Sequence, residues 1–231
     1  SLKSPATMIP QAKNELKRMA DMAQENLDRS IKGFLNQSDE YLNKIYHREE
    51  DINNVSHAIT DYLVKSNQLS LPLADQKILG SMFYVVNDIE RIGDHAENFA
   101  DYTKTELKHN TGLTGDAKEE IKKMYEAVSK LLKLSLESFM AQDGVNTQED
   151  KLAEIAALEA SIDKMERRYQ KHHIKRLAKG ECEPRAGLLF SDMLSELERI
   201  ADHSVNIAYS MSDEDEDEIL AAENEALTAK N

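Results

Sequence analysis

Tryptophan is absent from this chain, and Cys182 is its only cysteine. A single thiol closes no disulfide within the chain, which fits a reducing compartment. Only eight glycines and four prolines interrupt 231 residues, and they fall at a few plausible boundaries. Charged sequence rich in Ala and Leu, with so few breakers, reads as all-helical. No stretch approaches the roughly 20 apolar residues of a membrane span. The N-terminus, "SLKSPATMIPQAKNELKRM", lacks the apolar run of a secretory signal. Nor is there a glycine-rich phosphate loop. A basic excess is missing as well: 29 Lys and Arg face 43 Asp and Glu, for a net charge of −14. That excludes nucleic acid as a partner, because gripping a phosphate backbone needs clustered cations. It is compatible with cation binding.

What remains is 40% hydrophobic and 31% charged, long enough to bury a sizeable core. The breakers mark six helical segments. The first runs from about Pro10 to Leu35, with Pro10 at an early-helix position. Ser38 or Asp39 caps the second, which ends near Lys65. Pro72 opens the third, which ends before "HNTGLTGD". Gly115-Asp116 starts the fourth, Thr147 caps the fifth, Gly180 ends it, and Pro184 opens the sixth. Long helices with short connections are the pattern of antiparallel bundles. The fold expected is all-α, two tandem antiparallel three-helix bundles over residues 10–110 and 115–211. Residues 1–9 read as a linker, and residues 212–231, with the like-charge block "SDEDEDE", as an acidic disordered tail.

The bundles read as a duplication. "DIERIGDHAENFADY" (Asp88 to Tyr102) and "ELERIADHSVNIAYS" (Glu196 to Ser210) share the string E-R-I-x-D-H on the third helix of each half. At about 100° per residue, Met82, Val85, Val86, Ile89, Ile92, Gly93, Ala96 and Phe99 form one apolar stripe, which the sixth helix repeats around Ile200. Glu90, Asp94 and Asn98 form a polar row beside that stripe, and Glu198, Asp202 and Asn206 repeat it. Arg91, His95 and His203 fall further round, in a solvent-facing or inter-helix place. Carboxylates four residues apart repel mildly on an isolated helix, so retaining them twice suggests a positive partner. The second and fifth helices carry Glu49 with Asn53 and Glu159 with Asp163. In each half the two acidic pairs lie equidistant from the turn between their helices, so they face each other at one height. Two readings stay open: a metal held through oxygen, or through some nitrogen if iron or zinc, and a cross-helix network of arginines and carboxylates.

Enzymatic readings find little support. A ferritin-like di-iron centre needs Glu-x-x-His, whereas the spacing is Glu-x-x-x-Asp-His. Cys182 has no evident base. His172 and His173 are adjacent on a helix and face apart. No catalytic residue is expected, and the chain is not read as an enzyme.

These motifs resemble the PhoU family of bacterial phosphate-transport regulators over about Gln11 to Met211. The resemblance implies two three-helix bundles with metal held by Glu49, Glu90, Asp94, Glu159, Asp163, Glu198 and Asp202, with Asn53 the degenerate position. Iron, zinc, manganese or magnesium would suit such motifs, and the second half, with all four carboxylates, would bind more tightly. The segment "SPATMIPQAKNELKRMADMAQENL" is similar to the one that introduces the PhoU-like domain of sodium-phosphate cotransporters. With the missing initiator Met, it fits an excised cytoplasmic domain of an inner-membrane protein. The partner implied is a phosphate transporter, covalently linked or separate, with a homodimer as a further arrangement. The alternatives are a stand-alone regulator of a phosphate ABC transporter and its signalling kinase, and a helical adaptor without metal.

Overall fold

The structure, a computed structural model, describes residues 5–143, 148–211 and 229. Six helices account for nearly all of them: α1 Pro5–Leu35, α2 Leu42–Asn67, α3 Leu73–His109, α4 Gly115–Ala141, α5 Glu149–Ala178 and α6 Pro184–Tyr209. Helices α1–α3 pack together, as do α4–α6, and the two bundles meet along α3 against α6 and α1 against α4. No helix among the described residues is long and apolar enough to cross a membrane.

Local chemistry explains most of the boundaries. Pro72 and Glu183 sit at the N-caps of α3 and α6, the latter followed by Pro184 in the first turn. The Thr114 hydroxyl accepts from the Ala117 amide and caps α4. Gly180, at φ 70°, ends α5: its amide reaches the Leu177 carbonyl and that of Glu181 reaches Arg176. This is the paired closure that a left-handed glycine permits.

Two boundaries differ from expectation. Helix α1 begins at Pro5, so Pro10 lies inside it and residues 5–9 are helix rather than linker. The physical reason is Met8, which is fully buried and draws the extra turn onto the core. Helix α2 starts at Leu42 with Tyr41 at its N-cap and no side-chain cap, so neither Ser38 nor Asp39 fills that role. Thr147 and the acidic tail lie outside the described residues.

The stripes form the core as expected. Met82, Val85, Val86, Ile89, Ile92, Ala96 and Phe99 are buried, as are Met193, Leu194, Leu197, Ile200, Ala201 and Ile207. Burying one such aliphatic or aromatic side chain contributes about 1.5–3 kcal/mol. One apolar cluster runs through both bundles, so α3 and α6, at its centre, are fixed in rotation. That rotation decides where their polar residues point.

Candidate functional site

Glu49 projects from α2 onto α3 and is only 4% exposed. Gly93 makes the room for it. A Cβ at position 93 would stand 2.9 Å from Glu49 Oε2 and 3.1 Å from Oε1. Asp94 and Glu97 bring further carboxylates from α3, and one oxygen from each of the three acids lies within 4.8 Å of the others. No hydroxyl, amide or cation reaches either Glu49 oxygen, and a proton shared with the Asp94 carboxylate is the one hydrogen bond open to it; the Asn53 Oδ1, one helical turn along α2, has no donor either. Burial, then the adjacent Asp94 and the nearby Glu97 and Glu90, push the Glu49 carboxyl up to about 8. Glu97 is also raised, by burial and by Asp101 and Asp94 against the opposing pull of Lys104. Glu90 is held differently: the Ser56 hydroxyl donates to its Oε2 at 3.1 Å.

The second bundle gathers its acids around another residue. Glu166 on α5 faces Glu198, and its carboxyl is pushed up to about 8 by burial first, then by Glu198, Asp163 and Asp202. Each position in α2 corresponds to the one 110 later in α5, so Glu166 stands where Ser56 stands in the first bundle. Glu159, the counterpart of Glu49, is only half-buried. In α6, Ala201 stands at the sequence position that corresponds to Gly93. Glu159, Asp163 and Asp202 each have a polar or electrostatic partner.

Among the acids singled out by spacing, Glu49, Glu90 and Asp94 gather between α2 and α3, and Asp163, Glu198 and Asp202 gather around Glu166 between α5 and α6, but not as two equal sets. Glu49 and Asp94 converge, whereas Glu90 is tied to Ser56. In the second half Asp163, Glu198 and Asp202 surround Glu166. Glu97 and Glu166 escaped sequence reasoning, although a signal was present. "E-x-x-x-D-x-x-E" runs through Glu90, Asp94 and Glu97, and again through Glu159, Asp163 and Glu166. Residues at i, i+4 and i+7 share a helix face. Of the two arginines in the repeated string, Arg91 is exposed and Arg199 turns to Glu196 at 3.5 Å.

The histidines of the repeated string serve the other side of the helix. His95 Nδ1 pairs with Glu196 across the seam between the bundles, and His203 Nδ1 pairs with Asp88 at 2.9 Å. The two imidazoles lie 5.8 Å apart, so the pairs cross in a near-symmetric exchange. Asn98 and Tyr102 also donate to Glu196, at 3.2 and 3.4 Å. Asn98 thus leaves the acidic row and joins the seam. Burial raises the Glu196 carboxyl, but the bonds from His95 and Asn98 and the charges of His95 and Arg199 outweigh it, so its pKa is lowered. Four residues of E-R-I-x-D-H divide among three tasks: the Ile enters the core, the Glu and Asp face the neighbouring helix, and the His joins the two bundles.

A duplicated three-helix bundle, joined along its third helices and carrying acids in the gap between second and third, is the class of protein that this fold and site define. The chain belongs to the PhoU family: the PhoU domain matches twice, over residues 16–103 and 121–211. It is 23% identical to the phosphate-specific transport system accessory protein PhoU homolog of Clostridium acetobutylicum, over 85% of this chain and 87% of that protein. It is 20% identical to PhoU homolog 1 of Thermotoga maritima, over 84% of this chain and 82% of that one. The crystal structure of PhoU from Pseudomonas aeruginosa superposes with a TM-score of 0.79 at 19% identity, covering 90% of this chain and 97% of that one. The PhoU structure from Streptococcus pneumoniae does so with a TM-score of 0.75 at 20% identity, covering 90% and 95%.

Proposed function

We propose that this chain is a regulatory domain of phosphate transport that binds cations on its acidic faces and acts on a phosphate transporter. Family membership supports the regulatory role, and the names of its relatives support the transport system as partner. The observation that carries the cation reading is the Glu49 carboxylate, buried and without a donor beside two further carboxylates. Anions brought together in a partly dry gap repel strongly, and either a proton or a metal ion relieves them. Glu49, Asp94 and Glu97 would hold the ion, with the Asn53 amide oxygen nearby. An all-oxygen set suits magnesium, manganese or ferric iron better than zinc, which favours nitrogen and sulfur. His95 supplies no nitrogen, because it is engaged at the seam. Glu166 with Asp163, Glu198 and Asp202 makes the second candidate set. A bound ion would join α2 to α3, and α5 to α6, and so fix the surface presented to a partner.

The setting proposed is cytoplasmic, with the transporter either part of the same polypeptide or a separate protein. Elemental analysis of protein purified without chelator tests the cation reading. At least one equivalent of metal is expected in the native protein, with a clear loss in Asp94→Asn. Metal-free native protein that takes up none on reconstitution would leave the acidic rows as proton-sharing structure alone. The regulatory reading is tested separately, by phosphate uptake in cells that lack the domain. Uptake and its response to phosphate identical to those of intact cells would overturn it.

A further inference from the structure

Helix α5 separates its charges by sign along its length. From Glu149 to Asp163 its charged residues are acids, apart from Lys151. From Lys164 to Lys179 the exposed charges are Lys164, Arg167, Arg168, Lys171, Lys175 and Lys179, with no exposed acid among them. Glu166, the one acid of that stretch, faces Glu198 instead. None of the six cations forms an ion pair with a described residue. A helix dipole favours cations only in the last turn, which accounts for Lys175 and Lys179 but does not reach the four upstream cations. Lys175 and Lys179 also line a cavity shared with Asp116, Glu119 and Glu181, which offset them in part, whereas Lys164, Arg167, Arg168 and Lys171 lie outside it.

Large apolar side chains stand exposed beside these cations. Ile174 is 63% exposed, and Leu188, at the start of α6, is 67% exposed. Leu177 bridges the two helices, its Cδ2 3.3 Å from where a Cβ on Gly187 would stand. Arg167, Lys171, Ile174 and Ala178 recur at i, i+4, i+7 and i+11, so they share one helix face. The corresponding residues 54–69 of the first bundle carry only Asp61 and Lys65 as charges, and Gly80 stands in the place of Leu188. The shared fold therefore does not require a basic, apolar surface here.

We infer that this surface of α5 and the start of α6 docks on a lipid bilayer with anionic headgroups. Lys164, Arg167, Arg168 and Lys171 meet the headgroup phosphates, and Ile174 and Leu188 enter the interface. An exposed basic helix with apolar residues among its cations matches the chemistry of such a surface, charged outside and apolar beneath. A nucleic acid would answer the cations but offers nothing to Ile174 and Leu188. The chain's net charge of −14 opposes an anionic membrane. At physiological salt, however, charges further than about 8 Å away are largely screened, so the nearest cations decide. The inference does not rest on the cation reading of the acidic rows.

The test is sedimentation of the chain with vesicles, in chelator so that metal bridging plays no part. Vesicles of equal parts phosphatidylglycerol and phosphatidylcholine are compared with phosphatidylcholine alone, and poly-uridine RNA is titrated in a separate arm. Saturable binding to the anionic vesicles is expected, with little to the neutral ones. At about fivefold per cation, Arg167→Gln/Arg168→Gln/Lys171→Gln should weaken it about a hundredfold. Ile174→Ser/Leu188→Ser, which keeps every charge, should weaken it about tenfold. Lys44→Gln/Lys130→Gln/Lys133→Gln removes as much charge elsewhere and should leave it within about twofold. All these side chains are exposed, so the variants should melt close to wild type. No binding to anionic vesicles, or equal loss in the two triple variants, overturns the proposal. So does RNA binding as tight as vesicle binding, which would mark a general polyanion surface. Neither outcome bears on metal at Glu49, which chelator removes from the experiment.

Discussion

Glu49 and Glu159 occupy equivalent places in the two bundles, yet Glu49 is buried without a donor and Glu159 is half-buried. Gly93 leaves room for the Glu49 carboxylate, and the corresponding position in the second bundle is Ala201. Ser56 and Glu166 show the reverse asymmetry. A hydroxyl donates to Glu90 in the first bundle, whereas a second carboxylate faces Glu198 in the other. Duplication thus preserved the frame, and single substitutions moved the concentrated negative charge: towards the Gly93 end of the gap in one half, towards the Glu198 end in the other.

If the frame is shared, equivalent core positions should respond alike. Ile92→Ala and Ile200→Ala should each cost about 2–5 kcal/mol on denaturant unfolding, through lost transfer energy and a residual cavity. Values several kcal/mol apart would break the equivalence of the two cores.

The acids come next in size. Glu49 and Glu166 have carboxyls raised to about 8, well above the unfolded value near 4.5. A carboxyl with a raised folded pKa favours the native state while it is protonated. Its contribution is complete below the unfolded value and is lost as pH rises through the folded one. Metal-free protein should therefore lose about 2–4 kcal/mol between pH 5 and pH 8.5, allowing for solvent screening at half-buried Glu166. Glu49→Gln and Glu166→Gln should each flatten part of that slope. Melting curves across this range check the sign, and stability rising with pH would contradict the clustering.

Smaller effects follow from exchanging the distinguishing residue. Gly93→Ala converts the first gap to the pattern of the second. Helix propensity alone should add about 1 kcal/mol, while the new Cβ drives the Glu49 carboxylate outward, with loss of cation binding. Ala201→Gly should cost about 1 kcal/mol through the same propensity difference. Thermal melts and metal titrations of the two variants would sharpen the comparison, and unchanged cation binding in Gly93→Ala would contradict the role given to Gly93.

The frame was legible because its determinants are local or periodic. Stripes at helical spacing, Pro72, Thr114's neighbourhood, Gly180 and Pro184 mark the helices with little help from tertiary contacts. The levels of the acidic pairs could be read as well, since equidistance from a turn fixes height in an antiparallel hairpin. What spacing does not reveal is depth. Whether a carboxylate is buried depends on the residue opposite, and the pairing of Glu49 with Gly93 joins two helices far apart in sequence. For that reason spacing alone, which made the first half with its neutral Asn53 the weaker set, did not show that Glu49, Asp94 and Glu97 come together there. The seam was hidden for a similar reason: Asp88 and His95 lie on one helix, but each finds its partner on the other bundle.

The most direct test of the central claim, that Glu49, Asp94 and Glu97 hold a cation, is the melting temperature at pH 8 with and without manganese, in wild type and in Glu49→Gln. Saturating metal at about a hundred times its Kd should stabilise wild type by about 2.7 kcal/mol, or roughly 5–10 °C for a chain of this size. Glu49→Gln should melt higher than wild type without metal, because the buried repulsion is gone, and should lose most of the manganese shift. Wild type unmoved by manganese, or a Glu49→Gln variant that shifts as much as wild type, would contradict the account.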